Sequence, residues 1–157
     1  MTDLSNMPPA AEQSLRVWLK MLKTTRLIEA RLRERLRVEF GATLPRFDVM
    51  AALYRFEGGL NMSQLSSALR VSNGNVTGIV ERLVNDGAVR RVAVAGDKRA
   101  TLAVLTAKGR AEFAVMAAAH RDWIADMLHR VSTDAGSQIA AVMDLIAAPP
   151  AASREGH

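Results

Sequence analysis

The chain contains no cysteine, which excludes disulfides, thiolate zinc sites and thiol-based redox sensing together. Histidine is nearly as scarce. Of the three, His120 and His129 stand nine residues apart on a predicted helix and cannot share a face at ligand spacing; with so few soft ligands, no metal site is expected. No apolar run reaches the roughly 18 residues that a bilayer-spanning helix needs. The opening MTDLSNMPPA has neither the basic start nor the apolar centre of a secretion signal, so a cytoplasmic location without membrane association is expected. A Gly-rich cofactor loop is missing, as is any paired-acid, Ser-His or Cys-His arrangement. Neither enzymatic activity nor a cofactor is expected.

What is present is a folded composition with a localised charge. Apolar residues make up 49% of 157, too many for a disordered chain and enough for a core plus an assembly element. Residues 70 to 110 hold Arg70, Arg82, Arg90, Arg91, Lys98, Arg99, Lys108 and Arg110 against Glu81, Asp86 and Asp97. That surplus equals the +5 of the whole chain, so the remaining residues balance. A compact basic segment of this kind is built to meet a polyanion, here DNA.

The spacing of apolar and breaking residues predicts a mainly α fold with a small β-hairpin wing: a winged helix-turn-helix flanked by N- and C-terminal dimerisation helices. Residues 1–11 and 149–157 read as flexible tails, with Pro8-Pro9 and Pro149-Pro150 as breakers. A helix follows from Glu12 to Phe40, ended by Gly41, in a dimerisation segment covering 12–44. The DNA-binding domain covers 45–106. Pro45 opens its first helix, Asn61 caps a short one through Leu69, and Ser72 caps the next, which stops at Gly87. Val89–Val94 and Ala100–Leu105 are predicted strands, joined by a mobile tip, Ala95-Gly96-Asp97-Lys98-Arg99. Helices over 107–148 follow, capped by Thr106 and by Ser132 or Thr133. On the first of these, Phe113, Met116, His120, Trp123 and Met127 alternate in steps of three and four, a coiled-coil type of seam; Ile139, Val142, Leu145 and Ile146 stripe the last. Either these stripes pack within the chain or they join two copies, and the two-fold logic of short DNA-reading modules favours the homodimer.

On the helix after Ser72, Val76, Ile79, Val80 and Leu83 share the inner face. The outer face carries Gly74, Thr77, Gly78, Glu81 and Asn85, flanked by Asn75 and Arg82. Two glycines on an exposed face cost on the order of 2 kcal/mol relative to alanine. Either the helix is poor, or bare backbone at Gly74 and Gly78 lets it sit deep against a groove floor, with Asn73, Asn75 and Thr77 reaching base edges. The good caps and core residues beside them favour the second. Arg82 is either a phosphate contact or a partner of Glu81 or Asp86. Ser63 and Gln64, and Ser72 at the start of the next helix, suit DNA contacts at a helix start, though capping alone also accounts for them. In the hairpin, Asp97 stands two residues before Arg99 and can aim it, beside Lys98, into a minor groove.

An ordered set of motifs runs through this region: Leu44-Pro45-x-Phe47; Ser63-x-Leu65-x-x-Ala68-Leu69-x-Val71-Ser72; Val76-Thr77-x-x-Val80-x-Arg82-Leu83-x-x-x-Gly87; Arg91; Asp97-x-Arg99; and Leu105-Thr106-x-x-Gly109. Together, from about Leu44 to Gly109, they resemble the multiple-antibiotic-resistance regulator (MarR) family of bacterial transcription factors. The resemblance implies a homodimer whose reading helices enter successive major grooves of a pseudo-palindromic operator in double-stranded DNA. It also implies wings in the flanking minor grooves, with Arg99 as the wing arginine and Asp97 as its support. Most such proteins are repressors released by a small, often aromatic, anion. Lacking cysteine, this chain departs from the peroxide-sensing branch. The family's effector pocket lies between the dimerisation helices and the DNA-binding lobe, which makes Trp18, Met21, Arg26, Phe47, Met50, Tyr54, His120 and Trp123 candidates, against the plain alternative that Met and aromatic stripes are core. Arg16, Lys20, Lys23 and Arg26 either draw in an anion or form a solvated face. The chain is most similar to members controlling aromatic-acid catabolism, whose inducers are acids or their coenzyme A thioesters. The rival readings are a winged-helix protein-interaction module that never touches DNA and a non-catalytic dimerisation module of an enzyme system.

Overall fold

The computed structural model describes residues 8–69 and 72–149; the side chains of Asn73, Lys98 and Arg99 lie outside that description. Among the described residues the chain forms six helices and one two-stranded sheet. It divides into two compact units, Met1–Asp122 and Trp123–His157. No helix among the described residues is long and apolar enough to cross a membrane.

The first unit opens with α1 (Pro9–Phe40). Pro8 and Pro9, expected to keep residues up to 11 out of the helix, instead begin it. Proline lacks only an N–H that a first helical turn leaves unpaired anyway, and its fixed φ suits that turn. Gly41 ends α1 in the left-handed region at φ 60, where glycine pays no Cβ penalty. Helix α2 (Leu44–Arg55) starts under Thr43, whose Oγ1 accepts from the Arg46 N–H at 3.2 Å. Helix α3 (Met62–Leu69) carries a reciprocal cap. The Gln64 N–H donates to Asn61 Oδ1 at 2.8 Å, and the Asn61 N–H donates to Gln64 Oε1 at 2.9 Å.

Helix α4 (Asn73–Asn85) follows Ser72, which takes the N-cap position without a side-chain capping bond. The core of the unit gathers Leu36, Val49, Met50, Leu53, Leu65, Val76, Val80 and Leu83, all essentially inaccessible to solvent. Each such side chain contributes roughly 1.5–3 kcal/mol by leaving water.

Strands β1 (Val89–Val94) and β2 (Asp97–Leu105) pair antiparallel. The second strand begins earlier than Ala100. A tight turn at Ala95-Gly96, with Gly96 at φ 87, lets Val94 face Asp97 directly, and the register then jumps so that Ala93 faces Thr101. Residues 98–100 are thus looped out as a bulge rather than forming the tip. Leu60 adds a short third rung, exchanging backbone bonds of 3.1 and 2.8 Å with Ala103.

Helix α5 runs over Ala107–Met127. Its seam is largely turned inward: Phe113, Met116 and Trp123 are buried, while His120 and Met127 are half-buried. For Phe113 this is packing within the chain, since its ring lies 5.3 Å from that of Phe47 and 5.0 Å from that of Tyr54. In the second unit, α6 (Thr133–Ala147) is capped by Ser132, whose Oγ accepts from the Ala135 N–H at 3.3 Å. Its stripe of Ile139, Val142, Leu145 and Ile146 is exposed.

Candidate nucleic-acid interface

The inner face of α4 is set by Val76, Val80 and Leu83, spaced four and three residues apart and completely buried. Ile79, expected among them, is only half-buried, because it lies about 60° around the helix from Val76. On the outer side, a Cβ at Gly74 would meet nothing within 4 Å, and one at Gly78 would meet only the Arg82 guanidinium at 4.0 Å. Neither glycine is among those at positive φ. The fold therefore requires neither, and their propensity cost is not offset inside the chain. Asn75 is exposed beside them and Thr77 is half-buried. The Asn73 side chain lies outside the described residues.

The far end of α4 is held firmly. The Lys108 ammonium donates to the Asp86 carbonyl at 2.6 Å, and the Asp86 carboxylate pairs with Arg46 at 2.5 Å. Thr106 Oγ1 donates to the Gly87 carbonyl at 2.6 Å and accepts from the Gly109 N–H at 3.0 Å. The start of α5 presses so closely on this turn that a Cβ at Gly109 would fall 2.0 Å from the Ala88 carbonyl oxygen. Asp86 is paired with Arg46, and among the described residues Arg82 forms an ion pair neither with it nor with Glu81; the Arg82 side chain is exposed. The Arg46–Asp86 pair, half-exposed on the acid's side, is worth about 1 kcal/mol at most.

Ser63 is exposed at the start of α3. Gln64 spends its amide oxygen on the cap, leaving Nε2 as the donor for any outside acceptor. In the wing, Asp97 is exposed at the head of β2, whereas the Lys98 and Arg99 side chains lie outside the described residues. The bulge over residues 98–100 is the backbone feature that distinguishes this hairpin from an ordinary ladder.

A groove of 690 Å³ runs along α4, walled by Gly74, Asn75, Gly78 and Arg82 on one side and by Arg33, Arg37 and Asp48 on the other. None of the eight residues named from the sequence as effector contacts lines it. Met50 is completely buried and belongs to the core; Trp18 and Arg26 are exposed on α1, Met21 is half-buried there, and Trp123 is buried in the second unit. Phe47, Tyr54 and His120 do come together, through Phe113. The His120 ring stacks on Phe47 at 4.7 Å, and the Arg110 guanidinium lies 5.4 Å over the Tyr54 ring. Burial holds the His120 imidazole below its ordinary pKa, while burial and then the nearby Glu29 charge raise the Asp48 carboxyl. Arg33 and Arg37 were absent from the sequence-based site, although their spacing of four along α1 already put them on one face.

A helix-turn-helix with a bare-backboned outer face, followed by a bulged hairpin and bracketed by long helices, defines the winged-helix class of transcription regulators. The MarR-family sequence profile matches residues 40–100. A MarR-family transcriptional regulator from Silicibacter pomeroyi is 34% identical, with 89% of this chain and 96% of that one covered and a TM-score of 0.76. The chain belongs to the MarR family of transcriptional regulators. The fold is shared with Sco3205 of Streptomyces coelicolor, a MarR-family regulator solved in complex with DNA (24% identity, 97% of each chain, TM-score 0.78). AbsC, a MarR-family regulator from the same organism, is also similar in fold (22% identity, 90% and 94% covered, TM-score 0.76). No curated protein matches the chain.

Proposed function

We propose that the protein is a sequence-specific, double-stranded-DNA-binding regulator that acts as a homodimeric repressor on a pseudo-palindromic operator. The observation that carries this reading is the outer face of α4, where two glycines cost helix stability yet face open space. Such a face makes physical sense against a groove floor that side chains would hold away. The exposed apolar stripe of α6, with Leu145 at 76% exposure, supports association of two copies. In the first unit, Leu15, Trp18, Leu19 and Leu27 of α1 offer exposed apolar surface of the same kind.

Release is assigned to a small anionic ligand, an aromatic acid or its coenzyme A thioester. The chemistry around Tyr54 supports this class. Its ring is partly open, and Arg110 stands over it with its charge shared with Glu57 at 3.5 Å. An aromatic carboxylate meets a ring and a guanidinium there. To move the dimer from mostly bound to mostly free, the ligand must prefer the released form by several kcal/mol.

The test is a mobility shift of the purified protein on the promoter of its own gene, repeated over a salt series. A retarded band whose affinity falls steeply with salt is expected, because neutralised phosphates release counterions. No shift on that promoter, or a flat salt response, returns the protein to the interaction-module reading. Thermal-shift screening with benzoate-type acids and their thioesters then tests the effector class.

A further inference from the structure

We infer that the groove between α1 and α4 seats the DNA phosphodiester backbone, with Arg33 and Arg37 of the first helix as phosphate contacts. The inference rests on the DNA-binding reading above and extends it to a helix that the sequence assigns to dimerisation and effector binding.

Continuity comes first. One wall of the groove is the reading face itself, with Gly74, Gly78 and Arg82, so a duplex that receives this face must carry its flanking strand along the same channel. Charge comes second. Arg33, Arg37 and Arg82 converge on the groove against the single carboxylate of Asp48. Burial, and then the nearby Glu29 charge, raise the pKa of that carboxyl above its ordinary value. Availability comes third. Among the described residues neither Arg33 nor Arg82 has an ion pair. Arg37 is held by both oxygens of Glu34, at 2.6 and 3.0 Å, but both side chains are more than 60% exposed, and a phosphate offers the guanidinium the same pair of acceptors in exchange. A phosphate can therefore take the Arg37 guanidinium at small cost. A guanidinium also meets phosphate oxygens through paired N–H donors, which a lysine at the same place would not offer.

Phosphate contacts carry no sequence information of their own, but they fix how the reading helix is angled and advanced in its groove. Two such contacts from α1 would tie the angle of α4 on DNA to the position of the helix that also carries exposed apolar surface.

The experiment uses the full-length protein and a fluorescent duplex of its own promoter, with binding measured over a potassium chloride series. The proteins compared are wild type, Arg33→Gln, Arg37→Gln, the double variant, and Arg31→Gln, which removes the same charge from another face of α1. Every phosphate that is no longer neutralised lowers the salt slope by about 0.9, so each groove variant should lower it by about 1.8 for two protomers. The losses should be alike on operator and on unrelated duplex, and Arg31→Gln should keep the wild-type slope. As a second measurement, methylphosphonate substitution at the facing phosphates should weaken wild type and leave the double variant unaffected. A double variant with the wild-type slope overturns the inference, as does an Arg31→Gln slope lowered equally. Variants that bind DNA normally but no longer release it with benzoate would assign the groove to a small anion and overturn it too. In each of those cases wild type still binds DNA and the proposed function stands; a wild type that binds no duplex overturns both.

Discussion

Replacing Gly74 and Gly78 with alanine separates stability from recognition. Both residues sit in helical backbone, and an added methyl at either would meet nothing of the protein closer than the mobile end of Arg82. The exchange therefore recovers helix propensity without a steric penalty, about 1 kcal/mol at each position and about 2 kcal/mol together. For a chain of this size that raises Tm by about 4–8 °C. On DNA the sign reverses. A methyl pressed into a filled contact costs about 1–3 kcal/mol per protomer, in line with overpacking of protein cores, hence about 2–6 kcal/mol for two half-sites. The affinity for operator should fall by about thirtyfold or more, and Gly78→Leu should abolish specific binding. Thermal melts and anisotropy titrations on the same preparations check both halves. A double alanine variant that melts higher and binds operator as wild type does, together with a normal footprint for Gly78→Leu, would show that this face points elsewhere. A lower Tm would refute the account of α4 itself.

Gly109→Ala should act in the opposite way. Its Cβ would lie 2.0 Å from the Ala88 carbonyl oxygen, forcing apart the turn that Thr106 binds. The loss of those bonds with added strain predicts destabilisation of about 2–4 kcal/mol, read from a urea melt. Arg99→Ala should weaken operator binding substantially while sedimentation still reports a dimer; unchanged affinity would remove the wing from the mechanism. Because burial keeps the folded His120 below its ordinary pKa, the unfolded chain takes up the proton first as the pH falls. Stability should then be level above about pH 7 and decline as the pH drops through about 6.5. His120→Gln should flatten that decline in thermal melts, and an identical slope would exclude this imidazole as its source.

The parts of the fold legible in the sequence are those specified by near neighbours. Asn61 and Gln64 cap each other three residues apart, Ser132 and Thr106 mark helix starts, and the Val76–Val80–Leu83 spacing alone fixes which way α4 faces. The parts that stayed hidden depend on residues far apart in the chain. The Arg46–Asp86 pair joins positions 40 residues apart, and the glycine at 109 is explained only by the carbonyl of Ala88 folded against it. Hydrophobic pattern also fails to say whether a stripe meets its own chain or another: Phe113 turned inward, whereas Leu145 stayed outside. The effector candidates fared unevenly for the same reason. Aromatic and methionine side chains satisfy core and pocket equally well: Met50 is core, while Phe47 and Tyr54 meet at Phe113 and His120 stacks on Phe47.

The unequal fastening of α4 has a mechanical meaning. Its root, at Asp86 to Ala88, is riveted to the first turn of α5, whereas its front begins at Ser72 without a side-chain cap and soon meets two glycines. The element behaves as a cantilever, stiff where it is anchored and compliant toward the tip. Docking on DNA would therefore surrender conformational entropy mainly along the leading half, where the proposed base contacts lie. Any displacement of the anchoring turn swings that leading half through the larger arc.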